Sequence, residues 1–483
     1  MWGRIVDLKV TPRCLPEGTS GLEGLFWGLR DRPYAMLLLS GGHLDSGRYS
    51  LLGWDPFLVL QAKGRRVTVQ GEGWQREWTA DPFAILDECL AALALPGETP
   101  VAPCAAGGLG FLAYDLKNHL ERLPTTVSDD LQLPELVLAF PRHLLVQDRW
   151  QGQTWQVKIT YEGPAGKVPT DPPYCPTWED LLQAAGESGN RSYRVGELRS
   201  TFTKEAYLTA VRRAREYIRQ GDIYQVNLSQ RFSFPFQGDL YHLFLQLFRR
   251  NPAPFYAYLN CGSFHILSTS MERFLCRRGA YLETRPIKGT RPRGRTPAED
   301  EAMRRELQAS VKEDAELSMI VDLLRNDLGK VCRGGTVKVK EHKRLEAYQN
   351  VYHLVSIVTG RLRQDVSHVD ILRATFPGGS ITGCPKIRAM EIIDELEPHV
   401  RHVYTGAIGY LGLHGNLDLN VAIRTAVISR GLAHFSVGGG VVYDSDEQEE
   451  YEETLHKGRT LFRVIEAQTG RAQEGERPWL QSS

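Results

Sequence analysis

Cysteine is sparse in this chain. Eight are spread over 483 residues, as Cys14, Cys89, Cys104, Cys175, Cys261, Cys276, Cys332 and Cys384. None forms a CxxC pair or stands in a Cys/His cluster, which argues against a disulfide scaffold or a zinc site and for reduced thiols in the cytoplasm. An excess of one charge is also absent. Lys+Arg and Asp+Glu both total 58, so neither nucleic acid nor a membrane surface is indicated as a partner. No apolar run approaches the roughly 18 residues that span a bilayer. At the start, MWGRIVDLKVTPR places Asp7 and Lys9 where a signal peptide needs an unbroken apolar stretch. Internal repeats and low-complexity segments are missing too. What remains is an ordinary globular composition, 42% hydrophobic and 24% charged, in a chain long enough for a large core. The expectation is a cytoplasmic enzyme.

Proline and glycine are concentrated in YEGPAGKVPTDPPYCPTWED (161–180), which cannot continue a helix or a central strand. With the short helical TWEDLLQAA and the polar GESGNRS after it, 161–197 reads as a linker. It joins an N-terminal region, 1–160, to a longer region, 198–468, with a polar tail at 469–483. The first region is strand-rich: YAMLLLS (34–40), FLVLQA (57–62) and RVTVQ (66–70) are short apolar or alternating runs between turn formers. DPFAILDECLAALAL (81–95) has helical spacing behind Asp81. The second region opens on the helix TKEAYLTAVRRAREYIRQGD, with Thr203 as cap, Gly221 as stop and Tyr207, Val211, Ala214 and Ile218 on one face. IYQVNLSQRF follows as a strand with Gln225, Asn227 and Ser229 on one side. One long helical stretch is predicted over about 297–328. Strand and helix signals then mix without a βαβ period, so the fold class is α+β with large mixed or antiparallel sheets.

Several residues stand out for chemistry. Lys288 lies in ETRPIKGTRPRG, a Pro/Gly turn crowded with arginines. Solvation alone explains such a turn when it is taken by itself. Glu272 ends the strand-like HILSTS. Glu316 shares a helix face with Ile320 and Leu324, which aims its carboxylate partly at the core and calls for a partner. In EEYEET, Glu450 and Glu453 are three apart on one helix face, an arrangement that also suits a solvated acidic turn. A hard divalent cation such as Mg²⁺ would satisfy these oxygen ligands, and the lack of nearby His or Cys argues against zinc or copper. FPGGSITGCPK (376–386) and SVGGGVVYDSD (436–446) read as concave glycine-rich loops for an anionic oxygen. Neither matches GxxxxGK[ST] or GxGxxG, so nucleotide binding is not supported. Lys386 and Arg424 could each meet a carboxylate.

Taken together, GDIYQVNLSQRF, STSMERF, RPIKGTRPRG, ELSMIVDLLRNDLG, YHLVSIVTG, FPGGSITGCPKIRAMEII, YTGAIGY, DLNVAIRT, VGGGVVYDSD and EYEETLHK resemble the chorismate-utilising enzyme family, in that family's order. LLLSGGHLDSGRYS and GGLGFLAYDL are similar to the N-terminal half of its anthranilate and aminodeoxychorismate synthases. The resemblance implies sheets forming a sandwich with helices packed outside. PIKGT resembles the aminodeoxychorismate synthase branch, which serves p-aminobenzoate and folate synthesis, whereas anthranilate synthases typically have alanine in place of the lysine. By this resemblance Lys288 is the nucleophile and Glu272 the acid. Gly289, Thr290, His353, Lys386, Tyr404, Arg424 and the Gly438, Gly439, Gly440 turn position chorismate, and Glu316, Glu450 and Glu453 hold Mg²⁺. Nucleophilic use of a lysine needs the neutral amine, which Arg285, Arg291 and Arg293 would favour if they are close.

The family usually has proline where Met271 precedes the acid. No Gly-x-Cys-x-Gly elbow is present, so a separate glutamine amidotransferase subunit is expected to supply ammonia. Ser40, Arg48, Tyr49, Pro254, Phe255 and Tyr256 resemble the family's L-tryptophan pocket, although aromatic packing accounts for them equally well. The alternatives are anthranilate synthase and a non-catalytic chorismate- or tryptophan-binding subunit. The retained Lys288 and glutamates argue against the second.

Overall fold

The computed structural model describes residues 2–16, 21–166, 175–186 and 192–469. The local expectations hold where capping chemistry is strong. Asp81 accepts the Phe83 N–H at 3.0 Å and starts the helix Pro82–Leu93. Thr203 accepts the Ala206 N–H at 3.2 Å and starts Lys204–Arg219, whose Tyr207, Val211 and Ala214 are buried. Gly221, at a φ of 82°, lies beyond its end. The three early runs fall in the strands Met36–Leu39, Tyr49–Lys63 and Arg66–Gly71.

Among the described residues, 23 strands share one hydrogen-bonded network. The α+β expectation with large sheets holds, and helices pack against them. Met36, Leu51, Ala257, Leu259 and Ile266 enter one core, while their strand neighbours Leu37, Leu52, Tyr256, Tyr258 and Leu267 enter the other. Successive side chains on a strand point to opposite faces, so these strands run between two apolar layers. The helices Lys204–Arg219 and Leu240–Arg250 line the second core through Tyr207, Ala214, Tyr241 and Phe244.

The two sides of 161–197 share this network. Met36–Leu39 pairs with Phe255–Asn260, and Gly107–Leu112 pairs with Ala407–Gly412, both antiparallel. Within 161–197 itself, Trp178–Gly186 is the expected short helix, and Trp178 and Leu181 are buried in the second core. The tail beyond Thr469 lies outside the described residues.

Two expectations are corrected. The helical stretch at 297–328 is two helices, Pro297–Ala309 and Val311–Gly329, because Ser310 is extended and its hydroxyl accepts the Glu313 N–H at 3.3 Å. The glycines of SVGGGVVYDSD form no turn. They lie in the strand Leu432–Val441, paired with Gln225–Gly238 so that Gly440 faces Asn227 and Gly438 faces Ser229. Glycine carries no side chain to alternate, so the period-2 signal of a strand is silent there.

Candidate active site

Lys288 sits on the strand Ile287–Pro292, which pairs with Val351–Arg361. The register slips between Lys288 and Thr290, where Gly289 takes a φ of 74°, open to glycine at little cost. The Lys288 ammonium reaches the Glu316 carboxylate at 3.3 Å, and only 14% and 13% of these side chains are exposed. The helix Val311–Gly329 holds Glu316 there, with Ile320 and Leu324 buried along the same face as expected. The arginines of ETRPIKGTRPRG do not crowd the lysine. Arg285 pairs with Glu283 and Asp45, Arg291 with Glu306 and Glu313, and Arg293 with Asp300.

Glu272 is buried beside this lysine. Burial, opposed by the nearby Ser380, Lys288 and Ile287 N–H, pushes its carboxyl pKa up to about 7. Proline is not needed to set its backbone. The Ser270 hydroxyl accepts the Glu272 N–H at 3.3 Å and donates to the Val421 carbonyl at 2.7 Å, while the Val421 N–H donates to the Glu272 carbonyl at 3.0 Å. The next residue, Arg273, is anchored by Asp418 and Glu283 at 2.9 and 2.8 Å.

A carboxylate cluster lies on the other side. Glu450 and Glu453 come from the helix Glu447–Thr469, and a Cβ at Gly439 would approach their oxygens at 2.9 and 3.6 Å. Burial, with Glu453 adjacent, pushes the Glu450 carboxyl up to about 7. Its Oε1 accepts from Ser445 at 2.6 Å, whereas its buried Oε2 has no hydrogen-bond partner. Glu453 is held below the usual glutamate range by Lys457, 2.6 Å away. Glu313, three residues before Glu316, joins this neighbourhood and is pushed up by burial and by Glu316. The oxygens of Glu316, Glu450 and Glu453 are not all within 4.8 Å of one another. Like charges spread apart, and Lys288 and Lys457 each take one of them. All-oxygen donors with one orphaned buried oxygen fit a hard cation.

Thr290 and His353 are brought together, at 3.0 Å. His353 Nδ1 also lies 3.1 Å from the Gly289 carbonyl, which can only accept, so Nδ1 carries the proton. Burial, with Arg424 nearby, lowers its pKa to about 3, and the buried Nε2 has no partner. It is left as an acceptor. Arg424, at a φ of 49°, faces Tyr256 and Tyr348 and makes no ion pair among the described residues. Such a guanidinium is open to a substrate carboxylate. Tyr404 is buried beside Arg401. Lys386 is corrected. Its ammonium is bound by Asp327 at 2.5 Å and the Thr375 carbonyl at 2.9 Å, so it ties the helix Lys386–Leu396 to the end of Val311–Gly329. Glu313 and Lys457 were not singled out in the sequence, and Gln225 only as part of a strand's polar side. The EDAE spacing, which repeats the three-residue step of Glu450 and Glu453, was a signal for Glu313.

Residues 40–463 match the family model of chorismate binding enzymes. This chain belongs to that family. The chorismate-binding chain is 38% identical over 457 residues to aminodeoxychorismate synthase component 1 of Klebsiella aerogenes, covering 94% of it and 98% of the relative. It is 39% identical over 437 residues to anthranilate synthase component 1 of Thermus thermophilus, covering 90% and 92%. Among solved structures, anthranilate synthase component I from Streptococcus pneumoniae aligns with a TM-score of 0.71 and 28% identity, over 86% of this chain and 92% of that one.

This family member has a second cavity, of about 250 Å³, lined by all of Ser40, Arg48, Tyr49, Pro254, Phe255 and Tyr256. Ser40 is occupied there, donating to the Tyr49 and Pro254 carbonyls at 2.6 and 2.8 Å, and Arg48 pairs with Asp148 at 2.6 Å. No helix among the described residues is long and apolar enough to cross a membrane.

Proposed function

We propose that this chain is the chorismate-aminating component of an aminodeoxychorismate synthase. The observation that carries the reading is Lys288, little exposed, paired with Glu316 at 3.3 Å and near the buried Glu272 carboxyl. In the first displacement the Lys288 lone pair forms a bond to C2 of chorismate, both ring double bonds shift (C1=C2 to C1=C6 and C5=C6 to C4=C5), and the C4–oxygen bond breaks. Glu272 gives its proton to the departing hydroxyl, which leaves as water. Ammonia then bonds to C4, both double bonds shift back, and the C2–nitrogen bond to Lys288 breaks. The surplus proton of the new ammonium returns to Glu272, so the enzyme is restored and the amine keeps the stereochemistry of the hydroxyl. Arg424 and the His353 Nε2 acceptor orient the substrate. Mg²⁺, held by Glu316, Glu450 and Glu453, would supply positive charge for the ring carboxylate.

Ammonia would come from a separate glutamine amidotransferase subunit. Burial raises the thiols of Cys89, Cys104, Cys261, Cys276, Cys332 and Cys384, which makes each a poor glutaminase nucleophile. L-Tryptophan is the ligand proposed for the second cavity. Anthranilate synthesis is the second reading, favoured by the 39% identity to the Thermus thermophilus relative. Intact-protein mass after mixing with chorismate and Mg²⁺, without ammonia, separates the two. A chorismate-derived adduct on the wild type that is lost in Lys288→Ala supports the lysine route. No adduct, with anthranilate formed once ammonia is added, moves the reading to anthranilate synthase.

A further inference from the structure

Gln225 opens the strand Gln225–Gly238 and is 1% exposed. Its carboxamide oxygen is buried with no hydrogen-bond partner, which is a costly state for an amide. A Cβ at Gly440 would run into the Gln225 carboxamide nitrogen and would lie 2.8 Å from Lys288 Nζ. The two side-chain ends therefore share the space that the missing Cβ leaves. Half a turn about the last carboxamide bond exchanges oxygen and nitrogen without moving any other atom. It would bring the orphaned oxygen toward the lysine amine.

We propose that Gln225 is the positioning residue for the Lys288 amine. A neutral amine has two N–H groups and one lone pair. Glu316 accepts one N–H, and the Gln225 carboxamide oxygen accepts the other, so the lone pair is left aimed at C2. The bare backbone at Gly440 is what admits both side chains. This assignment rests on the lysine route proposed above. It makes no demand on the contacts that bind chorismate.

The test is the rate of adduct formation on the intact protein with chorismate and Mg²⁺, in the wild type, Gln225→Met and Gln225→Asn. Methionine fills a similar volume but cannot accept the N–H, and asparagine draws the carboxamide back by one methylene. Each should slow adduct formation and kcat at least about tenfold, with KM for chorismate changed less than about threefold. Melting temperature is measured alongside, and whichever variant folds is read. A merely structural role would lower the melting temperature or raise KM and leave adduct formation in the folded, saturated protein at the wild-type rate. That full rate in either folded variant overturns the proposal. A wild type that forms no adduct overturns the lysine route itself, and Gln225 with it.

Discussion

Glu272 can serve as an acid only while it holds its proton. With its carboxyl pushed up to about 7 by burial, the protonated form dominates below that value and is lost above it. Where Lys288 is neutral, turnover limited by hydroxyl departure should fall about tenfold per pH unit above that value. A pH profile of kcat checks this, and a flat alkaline limb would remove Glu272 from the role. Glu272→Gln keeps the shape and should cost about 10²–10⁴ in kcat. Glu450 makes a second prediction. Its folded pKa of about 7 lies above the ordinary 4.5, so the folded state binds that proton more tightly than the unfolded one. Its contribution to stability is present below the lower value and is lost as pH rises through the higher one. Mg²⁺ must displace the same proton, so the rise in melting temperature on adding Mg²⁺ should be larger at pH 8 than at pH 6. An equal rise at both would remove Glu450 as a ligand.

At the scale of elements, the ends of helices and strands carry the site. Ser310 breaks the 297–328 stretch in two, and the second helix starts with Glu313 and Glu316 in its first turns. Lys386 starts another helix, and its charge is spent inside the protein. Asp327 is 1% exposed and also takes Lys330 at 2.9 Å. Lys386→Met should therefore destabilise by about 3 kcal/mol, at the lower end for a broken buried pair because Lys330 remains. KM for chorismate in the folded variant should stay near the wild-type value. Denaturant unfolding and steady-state kinetics on the same preparation decide it, and an intact melt with a raised KM would return Lys386 to the substrate.

At the scale of the whole molecule, residues 198–469 and 1–160 complete each other's sheet. Removing 1–160 would bare the edges of Phe255–Asn260 and Ala407–Gly412, whose partners are Met36–Leu39 and Gly107–Leu112. Unpaired apolar edges associate with other chains. The fragment 198–469 should aggregate when expressed alone, as gel filtration would report, and a monodisperse fragment would show that the catalytic region folds by itself. Much of this molecule was legible in its residues. The capped helix after Thr203, the polar side of YQVNLSQRF, the inward Glu316 and the paired Glu450 and Glu453 follow from spacing and capping, which are local. The residues of the second cavity were legible through resemblance. Only the tertiary structure decided that Arg285, Arg291 and Arg293 face carboxylates rather than Lys288, and that Lys386 pairs with Asp327. It also decided that the glycines at 438–440 form a strand, and that Gln225 meets the lysine over Gly440. Those outcomes depend on which distant charge or vacancy a side chain reaches, and spacing along one chain carries no record of partners that the fold brings from elsewhere.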